Sequence, residues 1–144
     1  MRLPFVQLRP EGQLPRSQHP GDAGLDLHAA AGMTVKPGER GLVPTGVAVA
    51  IPDGFAGLVL PRSGLASRRG LTLANAPGLI DAGYRGEIVC AVVNLDPSDA
   101  VEIAVGDRIA QLVIVAIPDV SGVLVDELPR SARGSGGFGS TGVA

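Results

Sequence analysis

The chain has 144 residues, the length of a single domain, and 45% of them are hydrophobic, which is enough to bury a core. Its formal net charge of −2 argues against a nucleic-acid or membrane-surface binder, because such proteins carry a basic face. No apolar run approaches the roughly 20 residues of a transmembrane helix, and the N-terminus lacks the pattern of a signal peptide. The sequence therefore predicts a soluble, cytoplasmic protein without nucleic-acid or membrane partners.

Short apolar runs separated by turn residues follow one another along the chain. The 21 glycines and 12 prolines fall between these runs and interrupt the chain too often for long helices. Several runs alternate with a period of two and are rich in β-branched residues, which is typical of half-buried strands. The predicted strands are 2–9, 24–29, 33–37, 41–52, 55–61, 71–75, 86–95, 100–105, 108–117 and 122–128. The pattern predicts an all-β sandwich or barrel, with a jelly roll as the candidate architecture and one short helix at 63–69.

Asp26 is the first acidic residue inside a predicted strand, in GLDLHA (24–29). Its carboxylate lies between two leucines and beside the predicted core. A polar group in this position needs partners, which come either from the backbone or from a ligand.

The segment PRSGLASR (61–68) joins a predicted strand to the short helix. A guanidinium from Arg62, a hydroxyl from Ser63 and the backbone N–H groups around Gly64 together predict an anion site. Alternatively, Ser63 is an ordinary helix N-cap. The two interpretations are compatible with each other.

The segment NAPGLIDAGYRGEI (75–88) is rich in turn residues and predicts a hairpin that presents Asn75, Asp81 and Tyr84. Backbone groups at the mouth of a hairpin, together with an Asn amide, can bond the edge of a planar base. Asp81 follows two apolar residues, which predicts partial burial. Its carboxylate can take a proton from a water molecule, or it can simply cap the turn.

Two further residues lie among apolar neighbours in later strands. Cys90 is the only cysteine and is predicted to be a buried, small hydrophobic residue in a reducing compartment. Gln111, in GDRIAQLVIV (106–115), has an amide that must bond either the backbone or a ligand.

The C-terminal segment from about residue 129 lacks any periodicity and is rich in glycine and serine. Composition alone favours a disordered end. Phe138 and Arg133 argue for a function instead, because an aromatic ring and a cation can both contact a ligand. The sequence thus divides into a β domain, 1–128, and a flexible segment, 129–144.

The motifs of common metal and phosphate sites are missing from the sequence. It has no HExxH, no cysteine cluster, no dense carboxylate loop and no Walker-type GxxxxGK[ST]. The remaining candidates are Arg, Ser, Gly, Asn, Gln and single Asp residues. This set suits a polyphosphate ligand that itself holds most of the Mg²⁺ coordination.

Five of these segments, taken in order, resemble the motifs of one family, the trimeric dUTP pyrophosphatases (dUTPases). They are AGLDL (23–27), PRSGLA (61–66), GLIDAGYRGEI (78–88) with the preceding NAP, GDRIAQL (106–112) and RGSGGFGSTG (133–142). Each motif alone is weak, whereas five in order over most of the chain are highly specific.

This resemblance implies a jelly-roll homotrimer whose active sites are each built from three subunits. Such an enzyme hydrolyses dUTP to dUMP and pyrophosphate, which limits uracil incorporation into DNA and supplies dUMP for thymidylate synthesis. Asp81 would activate the water that attacks the α-phosphorus, and Asp26 would hold Mg²⁺ through water. Tyr84 would pack on the deoxyribose.

The resemblance also implies a set of substrate contacts. Uracil would be contacted by Asn75, Leu79, Ile80 and Val89, and the phosphates by Arg62, Ser63, Gly64 and Gln111. The C-terminal segment would close over the nucleotide, with contacts from Arg133, Phe138, Gly139, Ser140 and Thr141.

Two alternatives share parts of this pattern. The related dCTP deaminases need an acid, typically a glutamate, to activate water at cytosine C4, and Glu87 is the only other acid near the predicted hairpin. A bifunctional deaminase-pyrophosphatase is a variant of that reading. A non-enzymatic nucleotide sensor on the same fold would be expected to lack Asp81 or the C-terminal motif, and the sequence has both.

Overall fold

The computed structural model describes residues 1–132 and 134–135. Within these residues the chain forms eleven strands and one helix. The strands are β1 (Phe5–Gln7), β2 (Leu25–His28), β3 (Met33–Val35), β4 (Arg40–Pro44), β5 (Val47–Val49), β6 (Phe55–Pro61), β7 (Leu71–Leu73), β8 (Gly78–Ile80), β9 (Val89–Asn94), β10 (Val101–Ile103) and β11 (Arg108–Ala116). The helix, α1, spans Ser63–Arg69, so the predicted all-β chain with one short helix is confirmed.

The strands are arranged in four antiparallel sheets. The largest has the order β2-β11-β6-β8, and a three-stranded sheet has the order β4-β9-β7. The pairs β1-β5 and β10-β3 complete the fold. Neighbouring strands in each sheet are distant in sequence, so the fold rests on long-range pairing.

The core is built mainly from alternate residues of the strands, although all three residues of β5 are buried. In β9, for example, Cys90, Val92 and Asn94 are buried while the residues between them are more exposed. This is the period of two that the sequence predicts for a half-buried strand. The fully buried aliphatic residues include Leu27, Val43 and Leu112.

The predicted strand 41–52 is divided in two by a break at Thr45 and Gly46. Gly46 has a φ of 71°, a left-handed conformation that favours glycine, and its backbone lies against Gly12. The hydroxyl of Thr45 donates a hydrogen bond of 2.7 Å to the carbonyl of Ile88. The chain therefore changes sheet between β4 and β5, a change that apolar periodicity alone does not reveal.

The prediction of a hairpin at 75–88 is wrong, because the strands on either side of the turn do not pair with each other. β8 pairs with β6, whereas β9 pairs with β4 and β7 in another sheet. The segment between them is a connection from one sheet to the other. Its turn residues are real, and the backbone N–H of Tyr84 donates to the carbonyl of Asp81 at 3.0 Å.

The predicted strand 122–128 is also wrong, because these residues form no strand. The apolar side chains of this segment are exposed, and Leu124 is 100% accessible. A strand needs a neighbour to satisfy its backbone, and no strand within the described residues pairs with this one. No helix in that same part of the chain is long and apolar enough to cross a membrane.

Candidate active site

One cleft on the described part of the chain, which we call the anion cleft, has a volume of about 730 Å³. It lies where the end of β6 and the start of α1 meet β2 and β11. The predicted residues Asp26, Arg62, Ser63, Gly64 and Gln111 all line it. The structure thus brings together every residue of the predicted phosphate and metal set that lies within the described residues.

Asp26 is the electrostatic centre of the anion cleft. It is only 7% exposed, and its two oxygens face two different arginines. Oδ1 lies 3.1 Å from Nε of Arg62, and Oδ2 lies 3.2 Å from Nη1 of Arg108. A buried carboxylate needs such partners, so the question raised by its position between two leucines is answered by ion pairs.

The segment at the start of α1 differs in one respect from the sequence prediction. The N-cap residue is Arg62, with extended φ and ψ and no capping bond from its side chain, and Ser63 is the first helical residue. The interpretation of Ser63 as the N-cap is therefore wrong. Its side chain is not needed by the helix end and lines the cleft instead.

Gln111 contacts both the backbone and the cleft. Its Nε2 donates to the carbonyl of Pro61 at 3.0 Å across the β6–β11 pair. The other end of the amide lies against Gly24, where a methyl group would approach Oε1 to 2.5 Å. Glycine at position 24 therefore leaves room for this amide at the cleft.

Sequence reasoning missed several charged residues of the anion cleft. Arg108, Arg68, Asp22 and His19 line it, although none was predicted as a site residue. Arg108 lies inside the GDRIAQL motif, which is the signal that could have found it, whereas its partner Asp26 is identified only by the strand pairing. The register Gln111↔Asp26 places the two motifs on paired strands.

His28 lies at the end of β2, two residues from Asp26, and pairs in register with Arg108. Its Nδ1 is buried and has no hydrogen-bond partner among the described residues. Burial lowers the pKa of this imidazole below its ordinary value, so the ring is neutral at neutral pH.

The second cleft, which we call the base cleft, is much smaller, with a volume of about 110 Å³. The predicted residues Asn75, Leu79, Ile80, Tyr84 and Val89 all line it. Backbone groups of β8 and the side chain of Cys90 complete its wall. A cleft of this size and composition suits a single flat ring with polar edges.

The ring of Tyr84 is held at the base cleft by contacts with the backbone of the residues that follow it, Gly86 and Glu87. Its ring folds back over Gly86, where a methyl group would lie 2.5 Å from the hydroxyl oxygen. The hydroxyl donates to the carbonyl of Glu87 at 2.9 Å. Because the ring remains 46% exposed, one of its surfaces is open to a ligand.

Glu87 anchors this segment to the N-terminal part of the chain. Its carboxylate receives two hydrogen bonds from Arg9, at 2.9 and 3.0 Å, and one of 2.8 Å from the backbone N–H of Gly46. The bonds from Arg9 are the main reason why the pKa of Glu87 lies below its ordinary value. Glu87 is therefore a structural residue, which disfavours it as a proton-transfer group.

Asp81 directly follows β8, next to Ile80 of the base cleft, although it does not itself line that cleft. The residue is exposed, so the expectation of partial burial is wrong. Its backbone carbonyl accepts the turn bond from Tyr84, whereas its carboxylate makes no hydrogen bond or ion pair with the described residues. An exposed carboxylate without a structural partner is free to bond a water molecule.

Cys90 lies beneath the base cleft and is buried, as the sequence predicts. Burial raises the pKa of its thiol to about 12. Because the thiolate is the nucleophilic form, this cysteine is not reactive at neutral pH.

Within one chain, Asp81 and Arg62 lie toward opposite ends of strand β6. Ile80, the residue before Asp81, pairs with Gly57, and β8 runs away from the end of β6 that carries Arg62. Five residues separate Gly57 from Arg62, which is roughly 16 Å of extended strand. The backbone positions that carry Asp81 and Arg62 are therefore well separated within one chain.

The remaining predicted contacts fall in the C-terminal segment. Arg133, Phe138, Gly139, Ser140 and Thr141 all lie outside the described residues.

Comparison with known proteins finds the same family over nearly the whole chain. A family model described as dUTPase matches residues 10–142. The deoxyuridine 5'-triphosphate nucleotidohydrolase of Thermobifida fusca is 56% identical over 142 residues, covering 99% of this chain and 79% of the relative. The protein of the same name from Leifsonia xyli is 58% identical over 140 residues, covering 97% of this chain and 90% of the relative.

Solved structures agree with these relatives. A mutant dUTPase of Staphylococcus bacteriophage 80alpha with dUpNHpp has a TM-score of 0.90 at 32% identity and covers 99% of both chains. A mutant dUTPase of phage phi11 of S. aureus, described as coordinating a structural Mg(II) ion, has a TM-score of 0.80 at 32% identity. It covers 88% of this chain and 98% of its own. The jelly-roll prediction is confirmed, although the four sheets of the described residues do not close into a barrel.

Proposed function

The chain belongs to the dUTPase family, and on that premise we propose how its residues hydrolyse dUTP to dUMP and pyrophosphate. The observation that carries the proposal is the pair of clefts: one is polar and rich in arginine, and the other is small and lined by Asn75, Tyr84 and β8. They match the two chemically different halves of a nucleoside triphosphate. Each half is considered in turn below.

The base cleft binds deoxyuridine. Asn75 and the backbone of Leu79, Ile80 and Val89 contact the edge of uracil, where an amide and peptide groups offer both donors and acceptors. In this small cleft the additional methyl of thymine is rejected by steric clash. Cytosine presents an amine where uracil has a carbonyl, which leaves a donor facing a donor.

Tyr84 discriminates the sugar. Its ring packs on the deoxyribose and leaves no room for a 2′-hydroxyl. The fixed position of this ring, folded over Gly86 and bonded to the carbonyl of Glu87, supports the assignment. A mobile ring would move aside and admit a ribonucleotide.

The anion cleft binds the phosphates. Arg62, Ser63, the backbone at Gly64 and Gln111 supply donors to phosphate oxygens, and Arg108 adds a second guanidinium beside Asp26. Negative charge that builds on these oxygens during attack is stabilised by the same donors.

The active site is shared between copies of the chain, which assemble as a homotrimer. The distance of roughly 16 Å along β6 supports this, because it separates the backbone of Asp81 from that of Arg62 on one chain. The exposed apolar side chains of the segment after β11, including Val120, Val123, Leu124 and Leu128, also support it. A second copy that covered them would remove this apolar surface from water.

The residues of the anion cleft fit a Mg²⁺ ion that Asp26 holds through water. They do not fit an ion to which Asp26 is a direct ligand. Each oxygen of Asp26 already faces an arginine, but a carboxylate oxygen can accept more than one hydrogen bond. The described residues contain no cluster of three metal-binding side chains. The triphosphate would therefore supply the direct ligands, and the ion would neutralise charge on the phosphate oxygens.

Asp81 is the general base. Its exposed carboxylate accepts a proton from a water molecule while the water oxygen forms a bond to the α-phosphorus. The bond from the α-phosphorus to the bridging oxygen breaks, and the electron pair leaves with pyrophosphate. The absence of any structural partner for this carboxylate within the described residues supports the role.

The C-terminal segment completes the site in this proposal. Arg133 contacts the triphosphate, Phe138 stacks on uracil, and Gly139, Ser140 and Thr141 bind the γ-phosphate. Removal of residues 133–144 should leave the β domain folded and reduce hydrolysis severely. Full activity of the truncated chain would contradict this part of the proposal.

The direct test compares wild-type protein with Asp81→Asn, which keeps the shape and removes the basic oxygen. Pyrophosphate release is measured with dUTP, dCTP, dTTP and UTP in the presence of Mg²⁺. We expect strong turnover of dUTP alone. In Asp81→Asn we expect kcat to fall by about two to four orders of magnitude, while calorimetry with dUpNHpp shows retained binding.

Equal loss of binding and turnover in Asp81→Asn would argue against the base. Ammonia release from dCTP would favour the deaminase alternative. That alternative is disfavoured here because the carboxylate of Glu87 is occupied by Arg9 and by the N–H of Gly46.

A further inference from the structure

Arg68 is a charged side chain of the anion cleft that the proposed mechanism does not use. It lies in the last turn of α1 and folds back along the helix over Gly64. A methyl group placed on Gly64 would lie 2.9 Å from its Nη2. The guanidinium therefore lies beside the first turn of the helix, next to the Arg62–Ser63 segment and on the wall of the cleft.

Arg68 differs from the other two arginines of the cleft in its partners. Arg62 and Arg108 are both paired with Asp26, so much of their charge is already compensated. Arg68 forms no ion pair with any carboxylate of the described residues. Residue 133 and residues 136–144, which lie outside that part of the chain, contain no Asp or Glu.

The balance of charge in the cleft depends on Arg68. Three arginines, Arg62, Arg68 and Arg108, and two aspartates, Asp22 and Asp26, line it. The sum of these charges is +1 with Arg68 and zero without it. A polyanion gains little long-range attraction from a neutral cleft, so this arginine decides the sign of the local field.

We propose that Arg68 is a further phosphate-binding residue, specific for the pair of phosphates that leaves as pyrophosphate. The inference rests on the proposed function. Because Asp81 acts at the α-phosphorus from another copy of the chain, the anion cleft is left to hold the two phosphates beyond it. An arginine presents a planar fork that suits adjacent phosphate oxygens, and Arg68 has no other described partner to occupy it.

The neighbouring arginine offers a matched control. Arg69 also lies in the last turn of α1, so loss of either charge weakens the favourable interaction with the helix C-terminus equally. However, Arg69 lines a different cleft of about 260 Å³, together with Glu102 and Asp107, and does not line the anion cleft. Arg68→Gln and Arg69→Gln change the net charge by the same amount and differ in position alone.

The experiment measures inhibition of dUTP hydrolysis by inorganic pyrophosphate with Mg²⁺, and the KM for dUTP, in both variants and in Arg68→Lys. For Arg68→Gln we expect the pyrophosphate inhibition constant to rise about tenfold, as for loss of one charge-assisted contact. Arg69→Gln should stay within about twofold of wild type. Arg68→Lys should be intermediate, because it keeps the charge and loses the fork.

Equal pyrophosphate inhibition in Arg68→Gln and Arg69→Gln would overturn the inference. Calorimetry measures the binding of pyrophosphate to each protein in the absence of dUTP. This measurement distinguishes failure of the inference about Arg68 from failure of the proposed function. If wild type hydrolyses no dUTP, the proposed function fails, and pyrophosphate binding still decides the role of Arg68. If wild type hydrolyses dUTP and Arg68→Gln binds pyrophosphate as tightly as wild type, only the inference about Arg68 fails.

Discussion

Glu87 connects two distant parts of the chain through its carboxylate alone. Arg9, 78 residues away in sequence, donates to both oxygens, and Gly46 donates to one of them. Its pKa is lowered in the folded protein, so folding favours the ionised form. The resulting stabilisation is fully present above the ordinary value of 4.5 and is lost as the pH falls through the lower, folded pKa.

The corresponding prediction concerns Glu87→Gln, which removes the charge and keeps the shape. Its thermal midpoint should lie a few degrees below that of wild type at neutral pH. The difference should shrink as the pH falls below 4.5, because wild-type Glu87 then becomes protonated as well. Differential scanning fluorimetry over this pH range measures the difference in thermal midpoint. The control is Glu127→Gln, the same substitution at an exposed residue. A difference that is independent of pH would show that the ion pair contributes nothing.

Asn94 has the opposite role, since it stabilises the fold without charge. It is 0% exposed. Its Nδ2 donates to the carbonyls of Val35 at 2.9 Å and Asp99 at 2.8 Å, and its Oδ1 accepts from the backbone N–H of Asp96 at 2.9 Å. The side chain thus satisfies three backbone groups where β9 ends and the chain turns toward β10.

Asn94→Ala should lower the free energy of unfolding by about 3 kcal/mol, because buried backbone groups lose their partners and a void is left. Denaturant unfolding measures this loss. Ser98→Ala, in the same turn but exposed, should change the free energy by less than about 0.5 kcal/mol. A small effect of Asn94→Ala would mean that water enters and replaces the amide.

At the scale of elements, the sequence predicted those features that depend on neighbours along the chain. The helix at 63–69 was predicted with its observed bounds, because a glycine with a φ of 62° ends it at Gly70. The apolar runs 108–117 and 55–61, each bounded by turn residues, were predicted as two strands, which the structure confirms within one residue at each end.

Features that depend on distant pairing were not predicted. β8 has three residues and is a strand only because β6 lies beside it. The run 122–128 alternates like a strand and has no partner within the described residues. Likewise, motifs alone predict that Asn75 and Asp26 belong to a site. That they line two different clefts depends on the pairing of β6 with β8 and of β11 with β2, which the sequence does not show.

At the scale of the whole molecule, the segment after β11 is the clearest sign of an assembly. Leu124 is fully exposed, and its apolar neighbours are more than half exposed. In the proposed homotrimer a second copy covers them. Leu124→Asp should therefore lower the mass in solution from three times 14.6 kDa toward that of one chain. Light scattering after size exclusion measures the mass.

Leu95→Asp is a suitable control for this change, since Leu95 is also an exposed leucine but follows β9 instead. It should leave the mass unchanged. An unaltered trimer in Leu124→Asp would show that the segment packs elsewhere. A monomeric wild type would contradict the proposed assembly itself.

Shared sites make a stronger prediction, which uses two inactive variants together. Asp81→Asn damages the base-cleft half of a site, and Arg62→Gln damages the anion-cleft half. If the two halves come from different chains, mixed trimers contain sites with an intact Asp81 from one variant and an intact Arg62 from the other. Random mixing in equal amounts gives both intact residues in about one half times one half, or a quarter, of the sites.

We therefore expect refolding or co-expression of the two variants to restore about a quarter of wild-type activity. The control pairs Asp81→Asn with Asn75→Ala, whose defects lie on the same cleft and therefore on the same chain. In mixed trimers of that pair, every chain carries a substitution in the part of the site that includes the base cleft. The activity of the mixture should therefore not exceed the mean activity of the two variants measured separately. If mixed trimers form and the first pair shows no recovery either, each site lies within one chain. The roughly 16 Å along β6 would then have to be bridged by the side chains and the ligand, or closed by a rearrangement of the chain.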